Sequence, residues 1–219
     1  KASPANPLRI RTELSARRRD GSEIPIDLSL SAIQVKGEWS GIGIIHDISR
    51  RKETEAELQL LADTDALTRI PNRRKFDAAF AAEISRAQRY EMSLTFVMLD
   101  IDHFKAVNDT YGHQTGDYVL VELARIVSAH IRVNDTFARW GGEEFAILAV
   151  HRDCEATRFF ADKLRSLIAE HDFQNVGHLT ISLGLTSYQA GDSIESLMDR
   201  ADKALYKAKV GGRNRVECL

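Results

Sequence analysis

With 219 residues the chain exceeds one typical domain and falls short of two. Its 43% apolar and 28% charged residues are those of a soluble globular protein, and no apolar run reaches the roughly 18 to 20 residues of a membrane span. A net charge of −2, from 30 basic and 32 acidic residues, leaves no footprint for a polymeric phosphate backbone and so excludes a nucleic-acid polymer as expected partner.

No secretory signal pattern is present, and the chain opens at Lys1 rather than Met, which reads as a segment of a longer protein. Membrane attachment is expected only through unseen upstream residues. Cys154 and Cys218 fit no metal or disulfide framework, which points to a reducing, cytoplasmic setting.

Residues 1–48 read as a β-rich unit. Thr12 to Arg18 and Ile24 to Ile33 flank Asp20-Gly21, a hairpin signal, and Pro25 suits a strand start or edge. Ile24, Ile26, Leu28 and Leu30 alternate with other residues and define one buried face, and Gly41 to Asp47 makes a third strand. Three strands cannot cover their own apolar face, so a partner layer is expected elsewhere. Residues 49–64 change to a charged helix, with Ser49 as candidate N-cap, an Arg51–Glu55 pair, and Thr54, Leu58 and Leu61 at the spacing of a short coiled-coil seam. A plain linker helix fits the same residues.

Residues 65–219 alternate α and β. Asn72 to Tyr90 is helical, with Phe76, Phe80, Ile84 and Ala87 on one face. Ser93 to Leu99 is a nearly continuous apolar strand running into Asp100-Ile101-Asp102, the pattern of a central, doubly covered strand. A helix from Asp117 to His130 precedes two strands, Thr136 to Trp140 and Glu144 to Val150, joined by Gly141-Gly142 as a two-residue hairpin turn. A helix from Glu155 to Ala169, a strand from Leu179 to Leu185 and a helix from Ser193 to Val210 complete a βαββαβ unit. The expected architecture is α+β, a sheet covered by helices on one side.

Carboxylates at the end of a buried strand need a cation or a hydrogen-bond network, because unpaired buried charge is costly. Asp100 and Asp102 stand at such an end, and a hairpin on a neighbouring strand would bring Glu143 to the same rim. Oxygen ligands of this kind suit a hard divalent ion that shares substrate phosphates. Solvated acids beside an ordinary hairpin are the plain alternative.

The second part resembles the GGDEF domain of diguanylate cyclases from Asp63 to Leu219. The matching runs are Asp65-Ala66-Leu67-Thr68, Asn72-Arg73-Arg74, Asp100 through Lys105, Asn108 through His113, Gly116-Asp117, Arg139 through Phe145, and Lys209 through Asn214. The resemblance implies a palm-like fold that condenses two GTP molecules into cyclic di-GMP with release of pyrophosphate. Each domain of a homodimer would hold one GTP, so that each 3′-hydroxyl attacks the other's α-phosphate. It also implies Mg²⁺ or Mn²⁺ held by Asp100, the Ile101 carbonyl, Glu143 and Glu144, with Glu143 as the essential catalytic carboxylate. Two-metal chemistry of this kind activates a hydroxyl and neutralises a leaving pyrophosphate. Successive strand residues face opposite ways, which leaves open whether Glu143 and Glu144 serve one site. Asp102 receives no role from the resemblance.

By the same resemblance Asn108 and Asp117 read guanine, and Lys105, Lys209 and Arg213 contact phosphates. The amides around Phe104 and Lys105 resemble a helix-start anion cradle, and Gly141 and Gly142 admit the nucleotide. Taken locally, Asp117 is an N-cap, Asn108 a turn residue, and Lys209 a partner of a helix C-terminus that Gly211 stops. Arg132 and Asp135 match an RxxD product-inhibition site, with Lys163 where a second arginine often joins; physics alone reads an exposed i,i+3 pair of little worth. The runs Arg18 to Ile26 and Gly43 to Lys52 resemble the C-terminal half of a PAS sensor domain, which would regulate the cyclase through the helix after it. The main rival is a non-catalytic module that binds GTP or cyclic di-GMP.

Overall fold

The computed structural model describes residues 9–219, so residues 1–8 of the expected β-rich unit lie outside the described residues. The chain divides into two compact units, with the boundary between Ala62 and Asp63.

The first unit is an antiparallel sheet of β1 (Arg9–Arg17), β2 (Glu23–Val35) and β3 (Glu38–Asp47), in that order. Leu30 stands opposite Ile10 and Gly43, and Leu28 opposite Thr12 and Ile45. Opposed residues share a face, so Ile10, Leu14, Ile26, Leu28, Leu30 and Ile45 form one apolar surface. Ile26 is buried on it, whereas Ile10, Leu14, Leu30 and Ile45 are exposed. Helix α1 (Ser49–Asp63) buries no residue, and Leu58, Leu60 and Leu61 are all exposed. The Ser49 N–H donates to Asp47 Oδ1 at 2.9 Å, so an aspartate two residues upstream supplies the capping oxygen rather than Ser49 itself.

The second unit is a five-stranded sheet in the order β10-β9-β4-β6-β5. Its strands are β4 (Leu94–Ile101), β5 (Thr136–Gly141), β6 (Glu144–Val150), β9 (Ile181–Ser187) and β10 (Val216–Cys218). The helices are α2 (Arg73–Tyr90), α3 (Phe104–Tyr111), α4 (His113–Ser128), α5 (Cys154–Glu170) and α6 (Ile194–Val210), and β7 (Asp172–Phe173) pairs with β8 (Gly177–His178) in a side ribbon.

Both faces of this sheet are covered, which corrects the expected one-sided layer. Every residue of β4 is buried. Val97, Leu99 and Ile101 pack with Val119 and Leu123 of α4 and Leu164 and Ile168 of α5. Phe96 and Met98 pack on the other side with Phe76 and Phe80 of α2 and Leu197 and Leu205 of α6. Alternation along an extended strand forces this division, so a strand whose only polar residue before Asp100 is the fully buried Thr95 needs two cores. Phe76 and Phe80 are fully buried and set edge-to-face, and truncating either to Ala costs about 3–5 kcal/mol.

One glycine sets how closely a helix can approach. Gly184 on β9 lies so near α6 that a Cβ would overlap the backbone of Ala201 and Leu205. That contact holds α6, and with it Lys209, over the sheet.

Cys154 in the first turn of α5 is bonded to Cys218 in β10. The reading of two unpaired thiols is therefore corrected, and its argument for a reducing setting goes with it. The cysteines are 64 residues apart and β10 has no sequence signal, so nothing local announced the pair. No helix among the described residues is long and apolar enough to cross a membrane.

Candidate active site

The rim of the sheet is built by the ends of β4 and β6. Asp100 stands directly opposite Glu144 in their antiparallel register, which brings the two carboxylates side by side. The hairpin closes differently from the Gly141-Gly142 turn that its sequence suggests. Gly141 pairs with Glu144 after a register shift past Arg139, so the two loop residues are Gly142 and Glu143. Only Gly142 takes a positive φ, at 53°. Glu143 thus belongs to the turn and not to the strand, and the strand rule that set it opposite Glu144 does not apply. Both glutamates act on Asp100, or it on them, through space.

Charge at this rim is only partly met. Burial pushes the Asp100 carboxyl above its ordinary range; Lys209 Nζ, 2.8 Å from Oδ2, opposes this, while Glu143 and Asp102 reinforce it. Burial and the neighbouring Asp100 likewise raise Glu144. Asp202 on α6 is raised as well, by burial and Asp199, and adds to the negative field on Glu144. Sequence reading missed Asp202, because an acid on an exposed helix turn carries no signal. No three His, Cys, Asp or Glu side chains form a closed metal cage among the described residues. The donors are nonetheless all carboxylate oxygens, with Asp100 and Glu144 raised, a set that fits a hard divalent ion completed by carbonyl and phosphate oxygens. Ile101 itself is buried at the end of β4.

Beyond the rim, α3 begins at Phe104 after His103, which takes a left-handed φ of 60° and gives no side-chain cap. The phenyl ring of Phe104 is buried and Lys105 is exposed. Helix α4 starts at His113 with Gly112 as its N-cap, so Asp117 sits a turn inside an exposed face rather than capping it. Asn108 is helical, not a turn residue. Gly116 is what lets these elements meet: a Cβ there would overlap Asn108 Oδ1 and crowd Phe104. The Asn108 amide therefore lies across the residue that precedes Asp117, and the two candidate base-reading groups adjoin.

The chain after α6 turns sharply. Gly211 ends the helix, its N–H donating to Lys207 O at 2.7 Å, and Gly212, Arg213 and Asn214 all take positive φ, with Arg213 exposed. Lys209 reaches Asp100 from the last turn, a role more specific than complementing the helix dipole.

Residues 62–215 match the family model described as diguanylate cyclase, GGDEF domain. The chain belongs to the GGDEF family. Diguanylate cyclase DgcM of Escherichia coli K12 is 35% identical over 201 residues, covering 90% of this chain and 48% of that protein. The coiled coil and GGDEF domain of DgcB from Caulobacter crescentus, solved with c-di-GMP, superimposes with a TM-score of 0.75 at 32% identity, covering 78% of this chain and 93% of that one. The active GGEEF domain of a Vibrio cholerae diguanylate cyclase gives a TM-score of 0.65 at 40% identity, over 67% of this chain and 96% of that one. The chain spans about half the length of the curated E. coli relative.

The hairpin of this GGDEF domain is held by a clip that sequence reading did not assemble. Arg139 Nε and Nη2 donate to the Gly142 carbonyl at 3.0 and 2.8 Å, and its Nη1 donates to both Asp65 oxygens at 3.1 and 3.3 Å. Burial pushes Asp65 up, but the Thr68 amide and hydroxyl and Arg139 outweigh it and hold the carboxylate below its usual range. Both residues stand in runs quoted for the resemblance, yet only the fold joins them.

At the far end of the same strands, Arg132 and Asp135 do not form the exposed pair expected of them. Arg132 is exposed, but the Asp135 side chain is 1% exposed and meets Arg152 at 3.1 Å. It also accepts the Arg132 and Val150 amides at 3.2 and 3.3 Å. Arg152 lies over the Phe160 ring at 4.5 Å and is itself buried. Lys163 is exposed on α5.

Proposed function

We propose that this chain is a diguanylate cyclase, which condenses two GTP molecules into cyclic di-GMP and releases two pyrophosphates as a homodimer. The observation that carries the reading is the under-neutralised rim: Asp100 and Glu144 side by side, Glu143 on the adjoining turn, and Lys209 against Asp100. Asp100, the Ile101 carbonyl, Glu143 and Glu144 would hold Mg²⁺ or Mn²⁺, which supplies Lewis-acid activation of the 3′-hydroxyl and charge neutralisation at the leaving pyrophosphate. Glu143 is the catalytic carboxylate. Lys105, Lys209 and Arg213, with the open amides of Phe104 and Lys105, orient the triphosphate. The Asp117 carboxylate accepts from the guanine N1 and N2 donors and the Asn108 amide adds a donor and an acceptor on the base, and Gly141 and Gly142 keep the turn free of side chains where the nucleotide backbone passes. A single site supplies one hydroxyl and one α-phosphate, so closing a symmetric ring requires a second copy.

Regulation belongs to the same reading. The three-stranded unit acts as the C-terminal part of a PAS sensor, with α1 setting the approach of two cyclase domains. Arg132 grips product as a feedback brake, because its exposed planar fork suits phosphate and guanine. Asp135 serves that brake from behind, as the acceptor that shapes the Arg132 turn. Consumption of GTP places this segment on the cytoplasmic side.

Incubation with GTP and Mg²⁺, followed by mass spectrometry, is expected to give cyclic di-GMP that disappears with Glu143→Ala. GTP binding without turnover in a confirmed dimer would favour the non-catalytic module instead. Arg132→Ala is expected to relieve product inhibition without lowering the initial rate; an unchanged inhibition constant rejects Arg132 as the contact.

A further inference from the structure

Asp102 is two residues along β4 from Asp100 and looks like a third rim carboxylate, yet its surroundings are of another kind. The residue is 4% exposed. Its Oδ1 accepts the Ser182 hydroxyl at 2.7 Å, and its Oδ2 accepts the Thr180 hydroxyl at 2.7 Å and the Asn214 amide at 3.0 Å. Three donors occupy three of the roughly four acceptor directions of a buried carboxylate, a partner set that meets its charge without a cation. One of those donors comes from the turn after α6, which is 112 residues away in sequence.

That turn cannot hold its own shape cheaply. Arg213 and Asn214 carry φ values of 61° and 46°, a left-handed pair outside glycine, directly after Gly212 at 111°. Such a run persists only where surrounding contacts determine it. At Arg213 the amide donates to Ala208 O at 3.0 Å and the carbonyl accepts Arg215 Nε at 3.2 Å, while at Asn214 the amide goes to Asp102 and the side-chain oxygen accepts Arg165 Nη1 at 2.9 Å, so Asp102 and Arg165 are the anchors that lie outside the turn and α6. Arg213, the candidate phosphate contact, is the residue immediately before this doubly pinned position.

We infer that Asp102 is a positioning residue, not a metal ligand, which ties the α6–β10 turn to the strand that carries Asp100 and so sets Arg213 for the GTP phosphates. This rests on the cyclase reading for the identity of the ligand. The geometry also dictates how substitutions behave. An Asn at 102 can present its oxygen to Thr180 and Asn214 and its amide nitrogen to the Ser182 oxygen, so the hub survives the loss of charge. An Ala cannot.

The experiment compares Asp102→Asn, Asp102→Ala and Arg165→Met by GTP kinetics, Mg²⁺ titration and amide hydrogen exchange. Asp102→Asn is expected to keep kcat and the Mg²⁺ midpoint within about threefold of wild type, and Asp102→Ala to raise KM about tenfold with little change in kcat, the pattern of lost uniform binding. Exchange at the Asn214 amide is expected to accelerate about 100-fold in Asp102→Ala and to stay slow in Asp102→Asn. Arg165→Met leaves the Asp102 bond in place and removes the side-chain anchor, with two bonds to Asp162 and Ser166 within α5, and is expected to raise KM about threefold, which keeps the idea testable should Asp102→Ala fail to fold. Loss of turnover or a shifted Mg²⁺ midpoint in Asp102→Asn would make Asp102 a ligand and overturn the inference, as would unchanged exchange and KM in Asp102→Ala. If wild type neither turns over nor binds GTP, the cyclase reading falls and the inference with it. If wild type is active and the variants leave KM alone, only the inference falls.

Discussion

The two ends of β6 place carboxylates under opposite conditions. At the hairpin end, Asp100 and Glu144 lie side by side with one lysine against Asp100 and their pKa values raised by burial. At the other end, Asp135 is more deeply buried, yet it faces a buried arginine and two backbone amides. Burial alone therefore does not mark a functional acid. What separates the ends is whether the protein supplies the counter-charge itself or leaves it to be supplied by a ligand.

The comparison breaks most readily at the hairpin. Glu143→Gln and Asp100→Asn are each expected to reduce cyclic di-GMP formation about 10²–10³-fold, the scale of removing one electrostatic contributor from a reaction centre. Thermal unfolding without ligand should be unchanged or slightly raised, because a repelling charge has been removed. A large fall in melting temperature would show that these acids serve the fold and would erase the contrast with Asp135.

At the opposite end the expected effect is on stability. Arg152→Met strands Asp135 without its ion partner and should cost about 3–5 kcal/mol in urea unfolding. Adding Asp135→Asn should restore part of that loss, since it removes the stranded charge while the amide oxygen keeps one of the two backbone donors, which go to separate carboxylate oxygens. A cost below about 1 kcal/mol would mean that the buried pair is no tighter than a surface one.

The clip behind the hairpin gives a smaller, mixed effect. Arg139→Met frees the Gly142 carbonyl and unpairs Asp65. Turnover is expected to fall about tenfold through loss of positioning, with about 1–2 kcal/mol of stability lost from the part-buried hydrogen bonds. Loss of stability with full turnover would assign Arg139 to the fold alone.

How much of this was legible in the sequence follows from the range of each signal. The central strand, α2, α5, α6, most of α4 and the rim position of Asp100 were readable, because apolar runs and strand ends are local features, whereas α3 was not read as a helix. The nearly continuous apolar run of β4 reads as a doubly covered strand, and the one-sided sheet was the wrong expectation, since the βαββαβ order alone does not say which face each helix takes. Glu143 was wrongly grouped with the strand because Gly-Gly offers two turn registers and only the bulge past Arg139 selects one. Arg152, Asp202 and the Cys154–Cys218 bond left no trace, as each partner lies on a different element. Asp102 was visible as a residue but not as a hub, because its third donor arrives from the chain's far end.

The smallest effect is in the dependence of ligand-free stability on pH, and its sign follows from the raised carboxylates. A folded pKa above the unfolded value means that the native state binds the proton more tightly. The contribution of Asp100 and Glu144 is then fully present below the unfolded carboxylate range and is lost as pH rises through their raised folded values. Asp192 runs the other way: Arg200 hydrogen-bonds it and lowers it to about 2, so its stabilisation is present above 3.8 and is lost only as pH falls toward 2. Between these limits, ligand-free protein should lose stability slightly on going from mildly acidic to neutral pH. Saturating Mg²⁺ with a non-hydrolysable GTP analogue should reverse that slope, because a cation favours the ionised carboxylates. Melting temperatures taken across this range with and without the ligand pair would decide it; parallel curves would mean that the counter-charge missing from the hairpin end is not a bound metal.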